Sequence, residues 1–472
     1  TLAPSALTAA HNGHRILLGR LWEVLWFEIN SRTWDPLLVC TANALLHAAT
    51  AALLALALAR GTSPRRQAAT AALALGVFAI PFGYANLLVG FQSPFFFMTA
   101  CTAITVGALA GPASWGRTAL ALGAMLAAVG TTGAGGSVPL AGLTMLAFRA
   151  LRDRRCPPPS VAAFAGCIAI LALAGLTRAA SGEGASPGAI ATAAVRYLAW
   201  PGTNLVALVA EWPETRRFLP GFIAAFPHPD RPWIQDGANL LNGNPSALVA
   251  IYGAVALLLH LPAIVRLASL RRVPLTDARL AWIGLGIALA ANVAALAIAR
   301  SGERLIAPRY QDLLALGLLL NGAAALDLHA TRHPLRAPCA AAWAAVAGLA
   351  IALTAAGIFA VQLPRKGSEA RAQLALVTAY LAAGDASRFE NQPPNHVPWP
   401  GGGPELARTL DDPAVRKILA VKADGVARPP AARIAALARW LAPAWIALGA
   451  AAAALWWQSQ RRAASAPAAD GE

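Results

Sequence analysis

Residues 246–265 read SALVAIYGAVALLLHLPAIV, a run without Lys, Arg, Asp or Glu. As a helix it is long enough to cross a hydrocarbon core, which takes roughly 17–25 residues. Working outward, similar runs recur near 38–59, 68–88, 94–111, 115–131, 134–148, 160–178, 280–299, 311–327, 339–362 and 434–457. Only 13% of the chain is charged and 57% is hydrophobic, against about 25% charged in a typical soluble domain. The expected fold class is therefore all-α, a polytopic transmembrane protein of about eleven helices. Runs 115–131 and 134–148 are the shortest. Gly133-Ala134-Gly135-Gly136-Ser137 between them reads as a tight turn; no Lys follows to make it a phosphate loop.

The net charge of +16 does not point to nucleic acid, because the basic residues are scattered over many loops instead of forming one stripe. They follow positive-inside topology and contact with membrane lipids. Arg60, Arg65 and Arg66 form one short basic loop, Arg149, Arg152, Arg154 and Arg155 a second, and Arg266, Arg271, Arg272 and Arg279 a third. Counting helices alternately puts all three on one side, expected to be cytoplasmic, together with Arg461 and Arg462. Residues 1–37, 81–93, 179–245, 300–310 and 363–433 then face outward. The last of these is basic, but loops longer than about 60 residues translocate largely regardless of charge.

The domain organisation expected is an extracytoplasmic amphipathic loop over 1–37, transmembrane bundles over 38–178 and 246–362, and an extracytoplasmic loop over 179–245. Residues 363–433 form an extracytoplasmic cap, and 434–472 the last crossing and a cytoplasmic tail. The usage of Ala, Leu and Arg over Lys resembles that of a GC-rich bacterial genome. Cys40, Cys101, Cys156, Cys167 and Cys339 are dispersed, with no CxxC pair, and imply neither a disulfide framework nor a metal site. Thr1 lies outside under this topology, so an upstream transmembrane helix is expected before it.

Local patterns add detail. Residues 14–30 read as an amphipathic helix lying along the interface, with Leu18, Leu21, Leu25 and Ile29 at helical spacing and Trp22 and Trp26 along one edge. A further helical stretch is expected around 190–211. Asp411-Asp412-Pro413 reads as a helix start, and Pro393 to Pro404 as irregular. Asn43 and His47, four apart on one face, are read as bonding to a neighbouring helix. Few ionisable groups lie within the helices, since Asp312, Asp327 and Arg439 sit near expected ends. That disfavours an ion-coupled transporter.

Three outward clusters carry chemistry. His11, Asn12, His14, Arg15 and Arg20, followed by Glu23, are suited to holding a phosphate, with Glu23 as base. The same residues also fit an interfacial helix with snorkelling arginines. Two histidines three apart are too few to define a metal site. Tyr84, Asn86, Gln92 and Phe95 to Phe97 form a polar hairpin with aromatic anchors, which is equally a plain turn in an aromatic belt. Arg300, Glu303, Arg304, Pro308, Arg309 and Tyr310 stand at a helix start, where free N–H groups and arginines suit a lipid phosphate or simply anchor the helix end.

The order HNGHRILLGRL at 11–21, Trp34-Asp35, NLLVGFQ at 86–92, a Gly-rich turn two helices later, PRY at 308–310, Gly384-Asp385 and DDPAVRKIL at 411–419 resembles a bacterial multi-pass family related to GT-C glycosyltransferases. The resemblance covers nearly the whole chain through short motifs. It implies a GT-C-like architecture in the bacterial inner membrane and transfer of a sugar from a polyprenyl-phosphate carrier on the extracytoplasmic face. His11, His14 and Glu23 are then the catalytic candidates. Arg15, Arg20, Asn86, Gln92, Arg304, Arg309 and Tyr310 would bind substrate, with Arg304 and Arg309 nearest the lipid phosphate. The resemblance also implies an acidic pair upstream of Thr1, and a Glu where this chain has Gly13. Participation of a divalent cation stays open. A lipid or polysaccharide transporter, or a non-catalytic assembly subunit of the same architecture, is the alternative.

Overall fold

The computed structural model describes residues 7, 9, 16–88, 92–176, 186–203, 244–303, 306–397, 402–419, 421–422 and 425–426. These are almost wholly helical. The helices are α1 (Leu17–Ile29), α2 (Pro36–Ala59), α3 (Pro64–Phe78), α4 (Tyr84–Leu88), α5 (Ser93–Ala110), α6 (Trp115–Val129), α7 (Ser137–Asp153) and α8 (Pro158–Leu176). There follow α9 (Pro187–Leu198), α10 (Pro245–Ser269), α11 (Asp277–Ala299), α12 (Pro308–Ala330), α13 (Arg336–Gly357), α14 (Leu363–Ala383), α15 (Gly403–Asp411) and α16 (Pro413–Ile418). Among the described residues the only sheet is a two-stranded antiparallel ribbon, β1 (Val421–Lys422) and β2 (Gly425–Val426).

The chain is a multi-pass membrane protein by this architecture, with 7 helices among the described residues long and apolar enough to cross a bilayer. Of the eleven expected, those within 68–88, 115–131 and 134–148 are short, at 15, 15 and 17 residues, and 434–457 lies outside the described residues. Local chemistry sets many of the starts. Ser114, Ser186, Asn244 and Thr276 each accept a backbone N–H of the first turn. Asp412 does the same for Ala414 with Pro413 following, which is the start expected there.

Two expectations are corrected. The single helix over 68–88 ends at Phe78 and resumes at Tyr84, because Pro81 lacks an N–H and its ring would strike the carbonyl four residues back. The helix expected to stop at 362 is followed by a π turn over Ile358–Gln362 and by α14. There the N–H of Leu363 reaches back to Ile358 O, a wider turn that accommodates Pro364.

The chain divides into two compact units. The first holds Thr1–Trp22, Asn43–Gly61 and Ala69–Leu363; the second holds Glu23–Ala42, Thr62–Ala68 and Pro364–Glu472. In the first, α5 packs on α6, α7 and α11, α8 packs on α6 and α7, and α10 packs on α12 and α13. Helices α5 and α12 are 78% buried over their most apolar stretch, against 11% for α8. The former are therefore interior, and the latter turns most of its surface to lipid. Phe82, Val106, Met125, Met145, Leu280 and Leu319 are among the fully buried core residues. The second unit has its own core of Tyr380, Phe389, Val397, Leu406, Ala407 and Leu410.

Ion pairs join the basic loops of the first unit at one end. Arg60 lies 4.0 Å and Arg152 3.1 Å from Asp277, and Arg149 donates to Gly111 O at 2.7 Å. Other contacts of the first unit involve residues of the segments 1–37 and 300–310. Leu18 N donates to Gly130 O, Trp22 stacks edge-on against Phe97, and Phe95 against Tyr310.

Candidate functional site

The break between α3 and α4 organises a buried polar cluster within the first unit. Interrupting a helix leaves backbone groups without intrahelical partners, and side chains of α2 and α12 supply them. His47 Nε2 donates to Phe78 O at 3.0 Å, with its ring between Phe78 and Phe96. Asn43 Nδ2 donates to Asn86 O at 3.3 Å, and Asn43 Oδ1 accepts from Trp22 Nε1 at 3.0 Å. Asn43 and His47 thus bond to a neighbouring segment, the role read for them.

Asp312 completes the cluster from the first turns of α12. Its Oδ1 accepts from Gly83 N at 2.9 Å and its Oδ2 from Asn86 Nδ2 at 3.0 Å. Asn86 Nδ2 also donates to Arg309 O at 2.9 Å. Asn86 is fully buried and Asp312 is 6% exposed. A buried carboxylate is costly unless hydrogen-bonded, and here both oxygens are. The site residue missed by sequence reasoning is therefore Asp312, set aside as lying near a helix end. Its position four residues after Pro308, on the turn that also carries Arg309, was the available signal.

Arg309 and Tyr310 stand beside this lock. Pro308 occupies the first turn of α12, where its missing N–H costs nothing. The guanidinium of Arg309 lies 4.9 Å from the centre of the Tyr310 ring, a cation–π distance, and among the described residues it has no ion pair. Tyr310 is buried against Phe95 at 5.8 Å. Arg300 is engaged by Glu303 at 3.1 Å. A half-buried arginine at the positive end of a long helix is suited to holding a phosphate.

The remaining candidates divide. Asn86, Arg309 and Tyr310 come together. Asn86, expected in an outward hairpin, is a buried linker instead, because the break at Pro81 turns α4 into the bundle. Gln92 is half-buried at the start of α5 and makes no capping bond. Arg20 is turned back on its own chain, donating to Leu7 O at 3.0 Å and to Ala9 O. Glu23 is half-buried on α1. His11, His14, Arg15 and Arg304 lie outside the described residues. Among those described, no three His, Cys, Asp or Glu side chains gather as a metal site.

No family model, curated protein or solved structure matches the chain.

Proposed function

We propose that this chain is an integral-membrane glycosyltransferase of GT-C type, working on a polyprenyl-phosphate-linked sugar at the extracytoplasmic face of a bacterial inner membrane. The observation that carries the reading is the fixing of Arg309 at the start of α12 by Asn86 and Asp312, with its guanidinium unpaired among the described residues. The convergence of the basic loops around Asp277, at the end of the bundle assigned to the cytoplasm, supports this orientation. The separate core of residues 380–410 is the kind of small soluble element assigned to the cap.

In the reaction an acceptor oxygen attacks the anomeric carbon, the bond from that carbon to the carrier phosphate breaks, and the acceptor proton passes to a base. His11, His14 and Glu23 are the candidate bases. Arg309, with Arg304, would stabilise the negative charge that grows on the departing polyprenyl phosphate. Oriented donors of this kind are worth about 10²–10³ in turnover. Arg309→Ala in the full-length protein should therefore abolish measurable transfer from a polyprenyl-linked sugar, and unchanged turnover would sink the assignment.

Gly13, standing where the resemblance implies Glu, favours a second reading as a non-catalytic assembly subunit. Absence of turnover with retained binding of the carrier phosphate, lost on Arg309→Ala, would select it. A transporter needs a polar path through the bundle. The cavity beside His260 and Asn321 has room for about one water molecule and is itself no such path.

A further inference from the structure

Helix α7 ends at Asp153 and α8 begins at Pro158, with Arg154-Arg155-Cys156-Pro157 between them. Arg149 and Arg152 have structural work. Arg149 donates to Leu109 O and Gly111 O, satisfying carbonyls at the end of α5. Arg152 pairs with Asp153 at 2.6 Å and with Asp277 at 3.1 Å. Arg155 is different, being exposed and without an ion pair among the described residues.

Two grooves meet at Arg155. One, of about 700 Å³, carries the charged side chains of Arg149, Arg152, Asp153, Arg155 and Asp277 beside apolar wall from Pro112 and its neighbours. The other, of about 230 Å³, is walled chiefly by Leu146, Ala147, Ala150, Val161 and Phe164. Arg149, Arg155 and Cys156 line both. Val161 and Phe164 belong to α8, the helix that turns most of its surface outward and is long and apolar enough to span the bilayer. The apolar groove also contains Ser160, whose Oγ is buried and has no hydrogen-bond partner, an arrangement that costs free energy unless a ligand supplies one.

We infer that the two grooves form one site for an anionic glycerophospholipid. The phosphodiester lies against Arg155 in the charged groove, where Arg149, Arg152 and Arg155 outnumber Asp153 and Asp277. An acyl chain follows the groove between Leu146 and Phe164, and Ser160 donates to an oxygen of the glycerol backbone. A free phosphate would satisfy the arginines and leave the apolar groove and Ser160 unused. A soluble partner would not reach a wall that faces acyl chains. The site lies away from Arg309, and its occupancy does not depend on the reaction proposed above.

The full chain in detergent, titrated with phosphatidylglycerol or phosphatidylcholine and read by native mass spectrometry, tests this. One phosphatidylglycerol should be retained at least about fivefold more tightly than phosphatidylcholine, the preference expected of a single arginine near the headgroup. Arg155→Gln should erase the preference without shifting the thermal midpoint. Val161→Trp, which fills the groove without changing charge, should weaken both lipids. Cys156 is the one exposed thiol of the five, so phosphatidylglycerol should also slow its alkylation, and inorganic phosphate should not. Equal retention of the two lipids, unchanged binding by Arg155→Gln or Val161→Trp, or equal protection by inorganic phosphate would each overturn the proposal.

Discussion

Gly83 and Asp312 are packed so closely that a Cβ at position 83 would lie 1.9 Å from Asp312 Oδ2 and 2.8 Å from Asn86 Nδ2. The glycine is required by the carboxylate, since only a bare Cα lets the backbone N–H at 83 reach Oδ1. Gly83→Ala should destabilise the protein by about 1–3 kcal/mol, the usual range for overpacking a close contact. Asp312→Asn should do comparable harm by another route, for its amide would oppose that of Asn86 donor to donor. Thermal unfolding in detergent measures both, and a wild-type midpoint for either would refute the lock.

Much of the architecture is legible in composition, because lipid solvation demands long apolar helices whatever their packing. Helices 93–110, 158–176, 277–299 and 308–330 fall within a few residues of their expected places. The break at 79–83 was hidden by the apolar residues around it, although Pro81 and Gly83 announce it. Asp312 was hidden for a related reason. Its partners, Gly83 and Asn86, are distant in sequence, and proximity to a helix end suggested solvent where packing gives burial. Arg20 looked available and is occupied by backbone carbonyls, a contact that spacing cannot reveal.

At the end of the bundle where the basic loops meet, Asp327 sits between two arginines. It contacts Arg266 at 2.5 Å and Arg279 at 3.1 Å, and all three are buried or nearly so. Asp327→Ala leaves two cations facing one another with no anion between them. Breaking a buried pair in this way costs about 3–5 kcal/mol, so the variant should fail to accumulate in the membrane or unfold far below wild type. Accumulation and unfolding like wild type would show that water, not Asp327, compensates the arginines.

Pro262 creates a second dependence inside α10. The N–H of Ala263 donates to Asn321 Oδ1 at 3.1 Å, Asn321 Nδ2 lies 2.9 Å from His260 Nδ1, and His260 Nε2 donates to Leu198 O at 3.1 Å. The contacts fix a neutral histidine, protonated on Nε2 and accepting on Nδ1. Asn321→Leu strands Ala263 N–H and His260 Nδ1 together, at about 1–3 kcal/mol for each buried unsatisfied group. His260→Leu with Asn321→Leu should recover part of the loss, because one stranded acceptor is removed with its partner. A double variant as unstable as the sum of the singles would exclude coupling between them.

Asp153, at the polar end of α7, gives a pH signature with a definite sign. A hydrogen bond from Arg152 is the main influence holding its carboxyl below the ordinary value of 3.8, and Arg149 adds to it. A carboxyl whose folded value is depressed contributes stability that is fully present above the unfolded value and is lost as pH falls through the folded one. The side chain is 34% exposed, so solvent screening limits the contribution to at most about 1 kcal/mol. Asp153→Asn should therefore unfold at a slightly lower temperature than wild type at pH 7. The gap should hold down to about pH 5 and close as the pH drops below about 4. A gap that persists unchanged into acid would mean that the carboxylate charge is not what holds the end of α7 to Arg152.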